Sequence, residues 1–185
     1  WWDQLRGGPD YYDRPTSRQS ISHGHIMEPA LRTQEGARAV GVRLLSKACV
    51  RLRDVGYHAA HMRVSLRTLE GDSWSAEENF EPTRDSLELQ QVFARLWRPR
   101  AEGPPKQVVV VLGGLIPSGS IEELLFTPAR RREALSGTLD GITRRFGYDA
   151  VYPASLHSAK RAAPRRIAFG TIPDLRIPDL EKSPK

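Results

Sequence analysis

The chain has 185 residues, of which 39% are hydrophobic and 27% charged, and its formal net charge is +6. This composition suits one globular domain with flanking segments, and the basic excess favours a polyanionic partner. The single cysteine, Cys49, excludes an internal disulfide framework and a cysteine-based zinc site. The longest aliphatic run, VVVVL at 108–112, is too short to span a bilayer, so we expect no membrane partner and a cytoplasmic protein.

Residues 1–16 predict the end of a helix followed by a linker, because Gly7-Gly8-Pro9 stops a helix. Two adjacent tryptophans, Trp1 and Trp2, open the chain without an initiator methionine. We therefore interpret this stub as the edge of a neighbouring domain. The chain is then expected to be a piece of a longer protein, whose other part holds the chemistry.

The first strand is predicted at 17–27, where SRQSISHGHIM places small or polar residues at every second position. That period is typical of a strand with one buried face. The other face carries small, hydroxyl-rich or basic residues: Arg18, Ser20, Ser22 and Gly24. Such a face is unlike the Lys- and Glu-rich surface that hydration alone requires.

A long helix is predicted over 33–55, because apolar residues recur there at three- and four-residue steps. Thr33 can cap its first turn, and Gly56 is placed to end it. Cys49 lies in the apolar pattern, which indicates a buried structural thiol.

Two strands, at 61–68 and 73–80, are predicted next, joined by a turn at 70–72. Their alternation separates core-facing residues from those on the other side, which are Arg63, Ser65, Arg67, Ser75 and Asn79. Trp74 and Phe80 share the core-facing side. A second helix is predicted from Asp85, with Glu88 in a capping-box-like arrangement and Pro99 at its end. The fourth strand, at 106–112, is apolar on both faces.

The predicted order, β-α-β-β-α-β over residues 17–115, is typical of an α+β fold with a four-stranded sheet and both helices on one face. The other face of the sheet is then left open. Its arginines supply charge and forked donors, and its serines let backbone amides approach an oxygen closely. We therefore expect contact with the phosphates of a duplex rather than base stacking.

The remaining chain divides into an extension, 116–152, and a basic, proline-rich tail, 153–185, that we expect to be irregular, either poorly ordered or held by a partner. Within the extension, residues 128–147 predict a C-terminal helix whose apolar side carries Leu135 and Leu139.

The segment RQSISHGHIMEPALRTQEGARAVGVRLLSKACVRLRDVGYHAAHMRVSLR resembles the start of the little-finger domain of Y-family translesion DNA polymerases, of bacterial type. LDGITRRFGYDAVYPA is similar to the segment that closes the domain in bacterial members, and WWDQLRGG resembles the exit of the thumb. The resemblance covers residues 1–152 and agrees with the order of elements inferred from the residues.

The resemblance implies a domain that grips primer–template DNA beside a polymerase core. It also implies that the magnesium ions and catalytic carboxylates lie in a palm domain outside these residues, so this piece is expected to hold no cofactor and to catalyse nothing. The residues it implies as DNA contacts, together with their neighbours, are Arg18, Ser20, Ser22, His23, Arg63, Ser65, Arg67, Ser75, Lys106 and Gln107.

Two departures from the family pattern predict a weaker grip. The fourth strand, which carries arginines in the family, here reads Lys106, Gln107 and Val111. In the third strand, the carboxylate of Glu77 would repel a phosphate. EELLF at 122–126 resembles a sliding-clamp peptide in which Leu125 and Phe126 would fill an apolar pocket, although Glu122 replaces the usual glutamine.

Three functions remain open from the sequence. The first is the DNA-gripping domain of an active lesion-bypass polymerase. The second is the same domain in a catalytically dead homologue that recruits an active polymerase to the sliding clamp. The third is an unrelated βαββαβ module that binds RNA or protein. A metal site at His23, His25, His58 and His61 is not expected, because no carboxylate pair completes a ligand set.

Overall fold

The computed structural model describes residues 6, 19–98, 101–121, 128–147, 150–152, 154 and 157. Its regular elements, in chain order, are β1 (Ser20–Ile26), α1 (Gln34–Asp54), β2 (Tyr57–Thr68), β3 (Ser73–Thr83), α2 (Ser86–Leu96), β4 (Pro105–Gly113), β5 (Ile116–Pro117) and α3 (Pro128–Phe146). Short 3₁₀ helices occupy Pro29–Leu31 and Ser118–Ser120. Among the described helices, none is both long and apolar enough to cross a bilayer.

The strands form an antiparallel sheet in the order β1-β4-β2-β3, which confirms the predicted α+β architecture. The short strand β5 was not predicted. It pairs with the start of β2, Tyr57 opposite Pro117, in the same register that β4 keeps farther along that strand. β5 therefore continues β4 beyond an interruption at Gly114, whose φ of 57° is left-handed. Consequently β2 begins at Tyr57 rather than at His61.

Helix α1 begins and ends where the sequence predicts. The Thr33 side chain accepts a hydrogen bond from the Gly36 amide at 3.0 Å, and Gly56 follows the helix with a φ of 74°. The buried face of α1 includes Val40, Leu44, Ala48 and Leu52, and it packs on β1, β4 and β2. Cys49 is buried among them, as predicted.

Helix α2 is capped by Asp85, whose carboxylate accepts from the Leu87 amide at 2.9 Å. The predicted capping-box-like role of Glu88 is wrong in its partner. Glu88 accepts instead from the Thr83 hydroxyl at 2.8 Å, and that hydroxyl accepts from the Asp85 amide at 3.2 Å. The last residue of β3 thus ties the strand directly to the first turn of the helix.

Both helices lie against one side of the sheet and enclose a single core. Phe93 of α2 stacks on Trp97, with ring centroids 5.3 Å apart, and Trp97 meets the edge of Trp74 from β3 at 6.0 Å. Trp74 and Phe80 pack against this core, which confirms their predicted side. Among the described residues, the positions on the opposite side of the sheet are exposed or half-buried, apart from Gly113.

The C-terminal helix α3 confirms the helix expected over 128–147, and it joins α1 and α2 through charged pairs. Arg53 binds Asp140, Arg132 binds Asp85, and Arg144 binds Asp54. Apart from Arg6, the predicted stub at 1–16 lies outside the described residues. So does nearly all of the predicted tail.

Candidate nucleic-acid interface

The side of the sheet that faces away from the helices is here called the open face. The backbone register determines which residues of the four strands lie on it. Residues directly opposite one another in antiparallel strands point to the same side. Each row below runs from β1 through β4 and β2 to β3: Ser20, Gly113, His61, Asn79; Ser22, Val111, Arg63, Glu77; Gly24, Val109, Ser65, Ser75; and Ile26, Gln107, Arg67, Ser73. The core residues occupy the alternate positions, among them Ile21, Leu112 and Met62.

The first three open-face positions of β1 carry small, uncharged residues. Ser20, Ser22 and Gly24 are exposed there, and their neighbours on β4 are valines or glycine. A Cβ on Gly24 would lie 3.3 Å from Val109 Cγ2, so the two strands approach closely at this point. Small side chains leave the backbone accessible, which suits hydrogen bonding to phosphate oxygens.

The positive charge of the open face lies on β2. Arg63 and Arg67 are both exposed and stand on the same side, two rows apart. At the ordinary rise of a strand, about 3.3 Å per residue, their Cα atoms are about 13 Å apart. Two guanidinium groups at this separation can each supply forked donors to a different phosphate of one DNA strand.

One carboxylate faces this charge. Glu77 Oε2 lies 3.7 Å from Arg63 Nε and 3.8 Å from His61 Nε2. The Arg63 and Glu77 side chains are 53% and 60% exposed, so solvent screens their attraction strongly. The alternation along β2 that assigns Arg63 to the open face also assigns His61 to it, although His61 is not among the predicted contacts.

The structure places most of the sequence-predicted contact residues on the open face. These are Ser20, Ser22, Arg63, Ser65, Arg67, Ser75 and Gln107. His23 lies opposite Val110, in the row of buried Val64, so its side chain belongs to the helix side of the sheet. Its assignment to the phosphate-contacting surface is therefore not supported by the register.

The remaining predicted site residues are Lys106, Arg18 and the clamp-like peptide. Lys106 sits at a register shift: Arg67 faces Gln107 whereas Thr68 faces Pro105, so Lys106 is the extra residue of a bulge at the start of β4. Arg18 lies outside the described residues. The clamp-like peptide, with Glu122, Leu125 and Phe126, lies outside them too and stays a prediction. In the described part of the chain, no group of three or more His, Cys, Asp or Glu side chains is arranged to hold a metal ion.

Comparisons with known proteins bear on this geometry. Residues 18–124, more than half of the chain, match the model of the impB/mucB/samB family C-terminal domain. No curated protein matches the sequence. Among solved structures, the chain resembles a complex of a beta-clamp processivity factor and the little finger domain of PolIV. The identity is 18% and the TM-score 0.41, covering 59% of this chain and 98% of that one.

A second similar structure is an insertion ternary complex of Dbh DNA polymerase, at 12% identity and a TM-score of 0.40. The similarity covers 63% of this chain and 34% of the polymerase. The family match is the finding that decides membership, because residues 18–124 include α1, α2 and every described strand of the sheet. The chain belongs to the impB/mucB/samB family and contains its C-terminal domain, the little-finger domain of Y-family DNA polymerases.

Proposed function

We propose that this domain grips the sugar–phosphate backbone of primer–template DNA with its open face. The observation that carries the proposal is the shared face of Arg63, Arg67 and the serines on three strands. Guanidinium and hydroxyl groups bind phosphate oxygens without reading bases. The expected binding is therefore independent of sequence and steeply dependent on salt.

Duplex binding fits the geometry better than single-strand binding. Readers of single strands on four-stranded sheets use aromatic rings in the central strands to stack bases. Here Trp74 and Phe80 pack against the helices instead. The open face offers a broad polar surface, which suits the regular backbone of a duplex.

On this proposal the rest of the protein supplies the reaction, template-directed nucleotide addition past lesions during cytoplasmic DNA repair. The magnesium ions would be held by carboxylates of the polymerase core, a partner of this domain, and a sliding clamp would be a second partner through 122–126. In the alternative, a catalytically dead accessory homologue, those carboxylates would be lost. The sequence of the polymerase core therefore distinguishes the two. Family membership disfavours an unrelated RNA- or protein-binding module.

The proposal is tested by reversing the charge of the open face. Arg63→Glu with Arg67→Glu should weaken binding of the full chain to labelled primer–template DNA at least about tenfold at low salt. The matched control is Arg38→Glu with Arg51→Glu, which makes the same change in net charge at exposed positions of α1, in the other layer. Equal effects of the two pairs, or equal affinity for single-stranded RNA, would contradict the proposal.

A further inference from the structure

Arg63 and Arg67 share a strand and a face but differ in their cross-strand neighbours. Arg63 lies between Val111 and Glu77, whereas Arg67 lies between Gln107 and Ser73. Glu77 is also within ion-pair distance of His61 in the adjoining row. One of the two arginines is thus engaged by a carboxylate on the surface where phosphates are expected, and the other faces uncharged neighbours across the sheet.

We propose that Glu77 competes with DNA phosphate for Arg63 and so attenuates binding at this end of the open face. The inference rests on the proposed function, because it assumes that phosphates reach the face. The contact between Arg63 and Glu77 is long, at 3.7 Å, and both side chains are more than half exposed. An exposed pair of this kind is weak, so a phosphate can displace it. Displacement nevertheless leaves an unpaired carboxylate beside the DNA.

The salt dependence of binding follows from the same exchange. When Arg63 leaves Glu77 for a phosphate, the phosphate releases a counterion, but the freed carboxylate stays beside the DNA and offsets part of the positive charge that Arg63 brings. That contact then contributes less to the salt dependence than one made by an arginine without a carboxylate neighbour. Arg67, facing serine and glutamine, contributes a full counterion. The domain should therefore bind duplex DNA less tightly, and with a shallower salt slope, than its number of basic contacts suggests.

The first test is Glu77→Gln, measured with primer–template DNA over a range of salt concentrations. Affinity should rise about two- to fivefold at low salt, the range expected for an exposed ion pair. The slope of log affinity against log salt should become steeper, by up to about 0.9. Glu81→Gln is the matched control, since Glu81 is exposed on the same strand and the change in net charge is identical. Equal effects of the two variants would overturn the proposal.

A double-mutant cycle separates competition from general repulsion. With Gln at position 63, Glu77→Gln should no longer tighten binding by the same factor, because there is no arginine left to release. The single change Arg63→Gln should also weaken binding less than Arg67→Gln does, since only the former removes a pair that binding has to break. An equal gain from Glu77→Gln in both backgrounds would show that Glu77 repels DNA without acting through Arg63, and would overturn the proposal.

The two proposals fail in different ways. If the open face does not bind DNA, Arg67→Gln leaves affinity unchanged and the proposed function falls. If only the competition is wrong, Arg67→Gln weakens binding while Glu77→Gln behaves like Glu81→Gln. All these substitutions are at partly or fully exposed positions, and a thermal melt of each variant checks that the fold is retained.

Discussion

The guanidinium of Arg53 and the carboxylate of Asp140 form a bidentate salt bridge between α1 and α3. Arg53 Nε donates to Asp140 Oδ2 at 2.6 Å, and Nη2 donates to Oδ1 at 2.8 Å. Arg53 Nη1 also donates to the Arg84 carbonyl at 3.0 Å and to the Ser86 hydroxyl at 2.8 Å. Burial opposes the charged form of Arg53, but the hydrogen bond to Asp140 and the neighbouring acidic groups together more than compensate, so the pKa of the guanidinium is raised. One side chain therefore holds three helices together.

Removal of Asp140 should destabilise the domain severely. The side chains of Arg53 and Asp140 are only 12% and 7% exposed, so Asp140→Ala leaves a nearly buried guanidinium without its counter-ion. Breaking a buried pair in this way costs about 3–5 kcal/mol. Urea unfolding of the full chain measures the loss.

The control for this prediction is the second pair between the same helices. Arg144 and Asp54 are 65% and 41% exposed, so Asp54→Ala should lower the free energy of unfolding by less than about 1 kcal/mol. Similar losses from Asp54→Ala and Asp140→Ala would show that burial does not set the strength of the contact between α1 and α3.

Cys49 should make the stability of the domain fall at alkaline pH. Burial, partly opposed by the nearby charge of Arg53, raises the pKa of this thiol from 9.0 to about 11. A folded-state pKa above the unfolded value gives stability that is complete below about pH 9 and is lost as the pH rises through 11. For a pKa that rises from 9.0 to about 11, the loss amounts to about 3 kcal/mol.

Comparison with Cys49→Ala isolates this effect from other groups that titrate in the same range. Between pH 8 and pH 10.5 the parent should lose more free energy of unfolding than the alanine variant. The folded parent should also react slowly with iodoacetamide at pH 8, because little thiolate is present and the side chain is buried. Parallel pH profiles for the two proteins would contradict the raised pKa.

Two glycines inside helices should respond differently to alanine, since only one of them has room for a Cβ. At Gly41 in α1, an added Cβ would lie 2.7 Å from Phe93 Cζ, and Phe93 is fixed by its stack on Trp97. Overpacking of about 1–3 kcal/mol then exceeds or cancels the gain of about 1 kcal/mol in helix propensity. At Gly137 in α3 an added Cβ meets nothing within 4 Å, so alanine should stabilise by up to about 1 kcal/mol. Thermal melts of Gly41→Ala and Gly137→Ala check the signs, and a stabilised Gly41→Ala would show that α1 and α2 can separate.

The features predicted correctly from the sequence are those that depend on residues close together in the chain. Thr33 and Asp85 were identified as helix caps because a cap needs only its own side chain and the next turn. The alternation in β2 assigned Arg63 and Arg67 to one face because the period of a strand is two. The same alternation places His23 on the helix side of the sheet. His23 is among the predicted DNA contacts only because the family resemblance implies it.

Features that depend on distant partners could not be predicted. The pair of Arg53 with Asp140 joins residues 87 positions apart, and no local spacing indicates it. The bulge at Lys106 depends on how β4 meets β2, and the strand β5 depends on β2 extending back to Tyr57. Glu88 fits the spacing of a capping box, but a hydroxyl at Thr83, supplied by the preceding strand, captures it.

A carboxylate placed on β1 tests how far the DNA-binding surface extends. Ser22 lies in the same row of the open face as Arg63 and is exposed. If phosphates lie across the whole sheet, Ser22→Glu should reduce affinity for primer–template DNA roughly tenfold at low salt, through repulsion at close range. Thr138→Glu adds the same charge at an exposed position of α3 and should leave affinity nearly unchanged. Equal affinities for the two variants would confine the DNA contact to β2 and β3, where the arginines lie, and would remove the serines of β1 from the interface.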